Sequence, residues 1–250
     1  MSDEPRRVAG VSLRTHELVA GYSGSPVLHG VSITVAPGEV VSIVGPNGSG
    51  KSTLLKGVVG IVEVLGGTVE VGGRDVTGWR PEEVARIGVG YVPQVDDVFA
   101  PLSVRENLEM GGYLLPAREV PARIEHVLEV FPQLGRMLSR RAGKLSGGER
   151  KMLAMGRTLM LEPVLVVLDE PTANLAPAIA HAVLTEHVAR LAETGSSVLI
   201  VEQRAKAVLE ISDRTYVLAG GRLRMEGTPA ELSASGEFVE SFLGGAIGAA

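Results

Sequence analysis

One segment, Gly45–Thr53 with the sequence GPNGSGKST, restricts the fold of this chain more than any other feature. A strand-like apolar stretch, Glu39–Val44, comes before it, and apolar residues at helical spacing come after it. A strand, a glycine-rich loop and a helix in this order predict a phosphate-binding loop. A glycine-rich turn without a ligand is the alternative. In a phosphate-binding loop, backbone N–H groups and the helix N-terminus face the anion.

The side chains of this loop supply further parts of the predicted site. Lys51 places a point charge where the outer phosphates of a nucleotide would lie. The Ser52 hydroxyl is an oxygen ligand of the kind that Mg²⁺ prefers. The predicted nucleotide-binding residues of the loop are Gly45, Pro46, Asn47, Gly48, Ser49, Gly50, Lys51, Ser52 and Thr53.

A second apolar run, Val164–Leu168, is followed directly by Asp169 and Glu170. Its continuous apolar character predicts a strand buried on both faces of a parallel sheet. Ligands of such sheets bind beyond the carboxyl ends of the strands, where these two acids lie. Asp169 can hold Mg²⁺ through water, and Glu170 can orient and deprotonate an attacking water. An acidic turn that merely ends the strand before Pro171 is the alternative.

The composition excludes several classes of protein. Of the 250 residues, 45% are hydrophobic and 21% are charged, as in an ordinary globular protein of one large or two small domains. The absence of cysteine excludes disulfides, thiolate metal sites and cysteine nucleophiles. A formal net charge of -5 argues against nucleic acid as a partner. We expect a cytoplasmic protein, because the first residues show no apolar signal segment and no apolar run reaches the ~20 residues of a membrane span.

Strand-like and helix-like segments alternate along most of the chain, which predicts an α/β fold whose parallel sheet carries helices on both faces. A helical block between strand-like regions predicts an inserted helical subdomain. The predicted elements are strands at 11–18, 31–35, 39–44, 88–93, 164–168 and 198–201, hairpins at 66–73 and 215–226, and helices after the loop and at 103–138, 146–161, 177–193 and 238–243.

The segment Leu145–Glu149, LSGGE, indicates the family. Ser146 and Glu149 alone have the spacing of a capping box, in which both side chains satisfy free N–H groups at a helix start. The pair Gly147–Gly148 weakens a helix start unless a partner must approach the backbone closely. With the phosphate-binding loop upstream, this segment resembles the LSGGQ signature of the ATP-binding cassette (ABC) family.

The resemblance extends over about residues 12–244 and implies a phosphate-loop ABC cassette with a mostly parallel core sheet, an antiparallel β arm and an inserted helical subdomain. It implies a flexible segment 1–10 and a single domain 11–250, with core and arm at 11–94 and 162–250 and the helical subdomain at about 95–161. ATP and Mg²⁺ are the implied cofactors. The implied site residues beyond the loop are Tyr22 on the adenine, Gln94 at the metal and nucleotide, Ser146, Gly147, Gly148 and Glu149 on a nucleotide, Asp169 at the metal, and the catalytic Glu170 and Gln203.

Three positions depart from the family pattern. Glu149 stands where the signature usually has glutamine, and Ala176 stands where the following loop usually has aspartate. Gln203 stands where the family carries a histidine that contacts the γ-phosphate. Glutamine can donate a neutral hydrogen bond there but carries no imidazolium charge. We therefore expect hydrolysis to persist with Glu170 as the base, at a lower rate.

The departures themselves resemble one subgroup. The VEQ, LSGGE, NLAP, VFAPLSVRENL and FLGG segments are similar to the second, shorter ATPase of branched-chain amino acid importers. ATPases of urea or short-chain amide importers, and of exporters, are the alternatives. The segment Asp96–Val104 lacks the basic residues expected after Gln94. A soluble ABC ATPase acting on nucleic acid, a GTPase and a small-molecule kinase are less consistent with these motifs.

The resemblance also implies partners. In the family, the signature of one subunit covers the γ-phosphate bound by the other, so we expect a second ABC ATPase subunit in a homodimer or heterodimer. A chain without a membrane span would require separate permease subunits, contacted through Gln94 and the helical block. Uptake would add a substrate-binding protein. These partners would place the chain at the inner face of the cell membrane.

Overall fold

The computed structural model describes residues 8–95 and 97–242, and a six-stranded sheet lies at its centre. Neighbouring strands of this sheet are parallel, except that the edge strand Arg222–Gly227 is antiparallel to the strand beside it. The predicted α/β architecture with a mostly parallel sheet is therefore confirmed. In spatial order the strands are β11 Arg222–Gly227, β10 Arg214–Ala219, β4 Val40–Val44, β9 Ser197–Glu202, β8 Leu165–Asp169 and β7 Val89–Val92.

An antiparallel sheet forms the β arm. Its two long strands pair from Leu13 with Val71 to Gly21 with Glu63, with irregular register after His16. The hairpin predicted at Gly66–Gly73 is wrong in extent, because most of that segment continues one long strand and the turn is made by Gly72 and Gly73 alone. The strands of this sheet are β1 Leu13–Tyr22, β2 Ser25–Pro26, β3 Thr34–Val35, β5 Glu63–Val71 and β6 Arg74–Asp75.

The helices predicted at 103–138, 146–161 and 177–193 are confirmed as helical regions. The sequence patterns do not predict three short helices, at Pro81–Arg86, Ala205–Leu209 and Pro229–Ala234. These helices are too short to show a helical repeat in sequence. Leu243, the last residue of the helix predicted at 238–243, lies outside the described residues. Residues 1–7 of the predicted flexible segment also lie outside them. The helices are α1 Lys51–Val58, α2 Pro81–Arg86, α3 Val104–Gly111, α4 Val120–Val130, α5 Pro132–Gly135, α6 Gly147–Leu159, α7 Pro177–Ala182, α8 Ala189–Glu193, α9 Ala205–Leu209, α10 Pro229–Ala234 and α11 Gly236–Phe242.

The helix predicted from Pro177 to Glu193 contains one irregularity. Between α7 and α8, the segment Val183–Val188 winds as a wider π-helix. Its His187 is buried and meets the ring of Phe131 edge-on, with 6.0 Å between the ring centres. This contact packs the helical block against the core of the protein.

The core lies on both faces of the parallel sheet. Val166 and Leu168 of β8 pack with the helical block and α6, whereas Leu165 and Val167 pack with α1 and the antiparallel sheet. Because successive side chains of a strand point to opposite faces, a strand covered on both sides must be apolar throughout. Each such side chain stabilises the fold by about 1.5–3 kcal/mol when fully buried.

Arg214 of β10 joins the two sheets. Its guanidinium contacts both carboxylate oxygens of Glu39 at 2.9 and 3.0 Å and donates to the backbone carbonyl of Thr34 in β3 at 2.9 Å. It also donates to Glu226 of β11 at 2.6 Å. The hydrogen bond with Glu39 is the main influence that raises the pKa of Arg214, so the guanidinium stays charged. One side chain therefore ties the β arm to the edge of the parallel sheet.

Within residues 8–95 and 97–242, no helix has the length and apolar character that crossing a bilayer requires.

Candidate nucleotide-binding site

The loop between β4 and α1 contains a left-handed glycine and a buried hydroxyl. Gly50, directly before α1, has φ of 101°, a left-handed conformation that glycine adopts at little cost. The Ser49 hydroxyl is buried and has no hydrogen-bond partner within the described chain. Buried polar atoms are normally satisfied, so this unpartnered oxygen fits a loop that binds a polar ligand. The backbone N–H of Gly221 donates to the Ser49 carbonyl at 3.0 Å, which supports the loop from the β10–β11 turn.

Lys51 lies at the centre of the loop. Only 4% of its side chain is exposed, and its Nζ lies 3.5 Å from Glu170 Oε1. The same atom donates to the carbonyls of Gly45 and Pro46 at 2.9 and 3.2 Å. These oxygens balance the lysine charge at the place where an anionic ligand would compete for it. The structure thus brings the predicted phosphate ligand and the predicted base into contact.

Ser52 and Asp169 form the candidate metal site. Ser52 Oγ donates to Asp169 Oδ1 at 2.8 Å, and Tyr91 Oη donates to Asp169 Oδ2 at 3.1 Å. A hydroxyl and a carboxylate are hard oxygen ligands, so the two side chains fit Mg²⁺ by their chemistry. Burial, followed by the charge of Asp169, raises the pKa of Tyr91, which keeps this phenol a donor. None of the sequence motifs identifies Tyr91, and its place in the strand before Gln94 is the only sequence signal for it.

Gln94 lies beside the predicted base. Its Nε2 donates to Glu170 Oε2 at 2.8 Å, so Gln94 contacts the acid after Asp169. Glu170 has φ of 43°, an uncommon value for a residue with a side chain. Its backbone N–H donates to the Val201 carbonyl at 3.0 Å, which holds this conformation against β9. Strained backbone of this kind occurs at functional sites.

The signature segment caps α6 as its spacing predicts. Glu149 Oε2 accepts the Ser146 backbone N–H at 2.6 Å, and Ser146 Oγ accepts the Glu149 N–H at 3.3 Å. The hydrogen bond from the Ser146 N–H is the main influence that lowers the pKa of Glu149. Gly147 and Gly148 line an open cavity of about 470 Å³, together with Gln94 and the turn at Asn174. Among the described residues, no hydrogen bond joins this segment to the loop at Lys51.

Glu202 and Arg204 hold the turn after Glu170, and sequence reasoning missed both. The carboxylate of Glu202 accepts the Thr172 N–H at 2.9 Å and the Thr172 hydroxyl at 2.8 Å. Arg204 donates to the Leu175 carbonyl at 2.8 Å. Between them, Gln203 is exposed at the end of β9. No motif identifies these contacts, because they join residues about 30 positions apart.

Tyr22 lies at the end of β1, in the β arm. Its side chain is 48% exposed, which leaves the ring accessible to a flat ligand. The structure therefore brings Lys51, Glu170 and Gln94 into contact, and Ser52 into contact with Asp169 beside them. Among the residues that the structure describes, no hydrogen bond joins these five side chains to Tyr22, Gln203 or the signature.

A phosphate-binding loop at the start of a helix and two acids at the end of a buried strand of the same sheet define the class: this is a phosphate-loop nucleotide-binding protein. The model of the ABC transporter family matches residues 28–173. The chain therefore belongs to the ABC transporter family, as an ATP-binding cassette with ATPase activity.

Individual relatives cover almost the whole chain. A probable branched-chain amino acid transport ATP-binding protein, LivF, of Archaeoglobus fulgidus is 40% identical over 232 residues, which is 93% of this chain and 98% of the relative. The high-affinity branched-chain amino acid transport ATP-binding protein BraG of Pseudomonas aeruginosa is 39% identical over 90% of this chain and 96% of its own length. A crystal structure of an ATP-binding cassette of an ABC transporter in its ADP conformation superposes with a TM-score of 0.83 at 32% identity, covering 94% of this chain and 99% of that one. These similarities confirm the family and the cassette fold.

Proposed function

We propose that this chain is the ATP-hydrolysing subunit of an importer for branched-chain amino acids. The contact cluster of Lys51, Ser52, Asp169, Glu170 and Gln94 supports ATP hydrolysis. The cargo rests on one observation, the similarity along nearly the full chain to two transport ATP-binding proteins named for branched-chain amino acids. The VEQ and LSGGE segments point to the same subgroup.

The loop binds the triphosphate. Backbone N–H groups of 45–50, the Ser49 hydroxyl and Lys51 hold the phosphate oxygens, and the ring of Tyr22 stacks on the adenine. Ser52 and Asp169, with Gln94, would hold a magnesium ion. The bound ion supplies positive charge that offsets the charge of the phosphates.

Glu170 is the general base. It accepts a proton from a water whose oxygen forms a bond to the γ-phosphorus, while the bond from that phosphorus to the bridging oxygen breaks. Gln94 and Lys51 hold the two carboxylate oxygens of Glu170 in place before the water enters. Gln203 donates a hydrogen bond to the γ-phosphate, in the position where other cassettes have histidine.

A second subunit completes the site. The free N–H groups at the start of α6 favour an anion. The signature nevertheless makes no hydrogen bond to the loop of its own chain among the described residues. We propose that Ser146, Gly147, Gly148 and Glu149 contact ATP bound to a second ABC ATPase, identical or different. Loss of the shared γ-phosphate would release the pair and move the membrane partner.

The permease subunits would dock beside Gln94. An open groove of about 230 Å³ lies between β7 and the helical block. Its walls carry exposed apolar side chains, Met110 and Tyr113, and Phe99 lies next to it. Exposed apolar groups of this size mark interaction sites. Docking there would place the chain at the inner face of the cell membrane, with a substrate-binding protein on the other side.

Reconstituted transport tests this function. The chain would be purified with its membrane partners and placed in proteoliposomes with the substrate-binding protein, and uptake of labelled leucine, urea and acetamide would be compared. We expect leucine uptake that requires ATP and that is lost in the Glu170→Gln variant. Uptake of urea or acetamide without leucine would identify the amide importer instead, and ATP-driven efflux would identify an exporter.

A further inference from the structure

One lysine fastens the segment that follows β7 to the signature helix α6. Lys151 Nζ lies 2.8 Å from Asp97 Oδ2, with 7% of the lysine side chain and 11% of the aspartate side chain exposed. The same nitrogen donates to the backbone carbonyl of Gln94 at 2.8 Å. Lys151 therefore binds both ends of the segment 94–97, which begins with the residue that contacts Glu170.

A second side chain of α6 extends this attachment. Arg157 Nη1 donates to the Asp97 backbone carbonyl at 2.6 Å. Its guanidinium lies over the ring of Phe99, 4.4 Å from the ring centre. Since Lys151 and Arg157 belong to one continuous helix, a single element holds Gln94, Asp97 and Phe99.

The signature belongs to the same element. Gly147 begins α6 and lies about one helical turn before Lys151. At the other end of the connection, Gln94 Nε2 donates to Glu170 Oε2 at 2.8 Å. The contacts thus form a short chain from the base through Gln94 and Lys151 to the signature.

We propose that the ion pair of Asp97 and Lys151 couples Gln94 to the signature, so that both move as one unit relative to the nucleotide. The two residues position other groups and are not catalytic, because among the described residues neither one hydrogen-bonds to the loop 45–53. The inference rests on the proposed function, since it assigns how two parts of that ATP site act together.

The charges make the pair sensitive to substitution. Removing one partner of a buried ion pair leaves the other charge without compensation, which costs more than removing both. A purely stabilising ion pair is available for comparison. Arg123 of α4 lies 3.1 Å from Glu162 after α6, with 17% and 31% of the two side chains exposed, and it joins neither Gln94 nor the signature.

Turnover and affinity would be measured for Lys151→Met, Asp97→Asn, the double variant and Arg123→Met. In the assembled complex we expect each single variant to lower kcat about tenfold, with KM and the Kd for Mg-ATP within about twofold. The double variant should lose about tenfold, not hundredfold, because the two changes remove one interaction. Arg123→Met should lower Tm and leave kcat within about twofold.

A distance measurement tests the coupling without turnover. The chain has no cysteine, so Glu125→Cys in α4 and Arg224→Cys in β11, both exposed positions, would carry spin labels in the isolated protein. We expect Mg-ATP to shift this distance in the otherwise unchanged chain and in Arg123→Met, and not in Lys151→Met or Asp97→Asn. The proposal is wrong if both single variants keep the shift or if the parent chain lacks it. It is also wrong if the losses of kcat in the two single variants multiply in the double variant. A complex without turnover but with the expected distances would contradict only the proposed function.

Discussion

Gln94 donates its side-chain amide to Glu170 across 2.8 Å and so connects the end of β7 with the acid that follows β8. Glu170 Oε1 lies 3.5 Å from Lys51 Nζ, so each carboxylate oxygen has a partner within the chain. Each carboxylate oxygen can accept a second hydrogen bond, so a water bound at the base would share Glu170 with Gln94 and Lys51. A bound γ-phosphate would compete with Glu170 for the charge of Lys51.

Replacing Glu170 by glutamine separates binding from chemistry. The variant keeps its shape and loses the proton acceptor, so we expect kcat to fall by at least about 100-fold. Affinity for Mg-ATP should stay within about twofold, and ATP should hold paired subunits together. Turnover by phosphate release and pairing by gel filtration measure the two effects. Turnover that survives the substitution would exclude Glu170 as the base.

The ring of Tyr22 should contribute to affinity through stacking alone. We expect Tyr22→Ala to weaken ATP binding about tenfold, which corresponds to ~1.4 kcal/mol. Tyr22→Phe is the matched control and should bind like the parent chain, because it keeps the ring. Titration with a fluorescent ATP analogue measures both. Equal loss in the two variants would show that the hydroxyl, and not the ring, is the contact.

Gln203 should affect the rate more than the binding of ATP. Removing its neutral hydrogen bond in Gln203→Ala should lower kcat about tenfold. Gln203→His should raise kcat at low pH, since imidazole carries a charge below its pKa of about 6.5. The advantage should therefore decline as pH rises from 6 to 8 in a kcat profile. If neither variant changes kcat, Gln203 does not contact the γ-phosphate.

Glu202 should make folding stability depend on pH. Its side chain is 1% exposed, and burial is the main influence that raises the pKa of this carboxyl. A raised pKa means that the folded state binds the proton more tightly than the unfolded state does. The resulting stabilisation is complete below the unfolded pKa of about 4.5 and is lost as pH rises through the folded pKa.

The neutral variant Glu202→Gln should escape that loss. Its free energy of unfolding relative to the parent chain should therefore increase from pH 4.5 to pH 7.5 in denaturant titrations. Glu231→Gln is a control in which the effect of pH on folding stability should have the opposite sign. The Thr228 N–H lowers the pKa of Glu231, so its contribution is present above pH ~4.5 and declines at lower pH. The same pH slope in Glu202→Gln and the parent chain would contradict the assignment.

Local patterns predict the centre of the site because each part lies within one short segment. The loop at Lys51 and the acids after β8 each follow a buried strand, and parallel strands bring their carboxyl ends to one edge. The contact of Ser52 with Asp169 follows from that geometry. The alternation of strand-like and helix-like segments likewise predicts the parallel sheet and most of the helices that pack on it.

The contacts that tune the site lie beyond such patterns. Tyr91 with Asp169, Glu202 with Thr172 and Lys151 with Asp97 join residues far apart in sequence, and each side chain type is ordinary at its position. The pattern also predicts too short a strand for β5, because glycines normally mark turns and pairing with β1 overrides that tendency. Tertiary contacts decide these features, and a single sequence does not display them.

The guanidinium of Arg214 connects the β arm directly to the central sheet. A nucleotide bound as proposed would contact the arm through its base at Tyr22 and the central sheet through its triphosphate at Lys51, and Arg214 would hold these two contact points together. The movement that drives transport would then come from elements that Arg214 does not contact, such as the helical block.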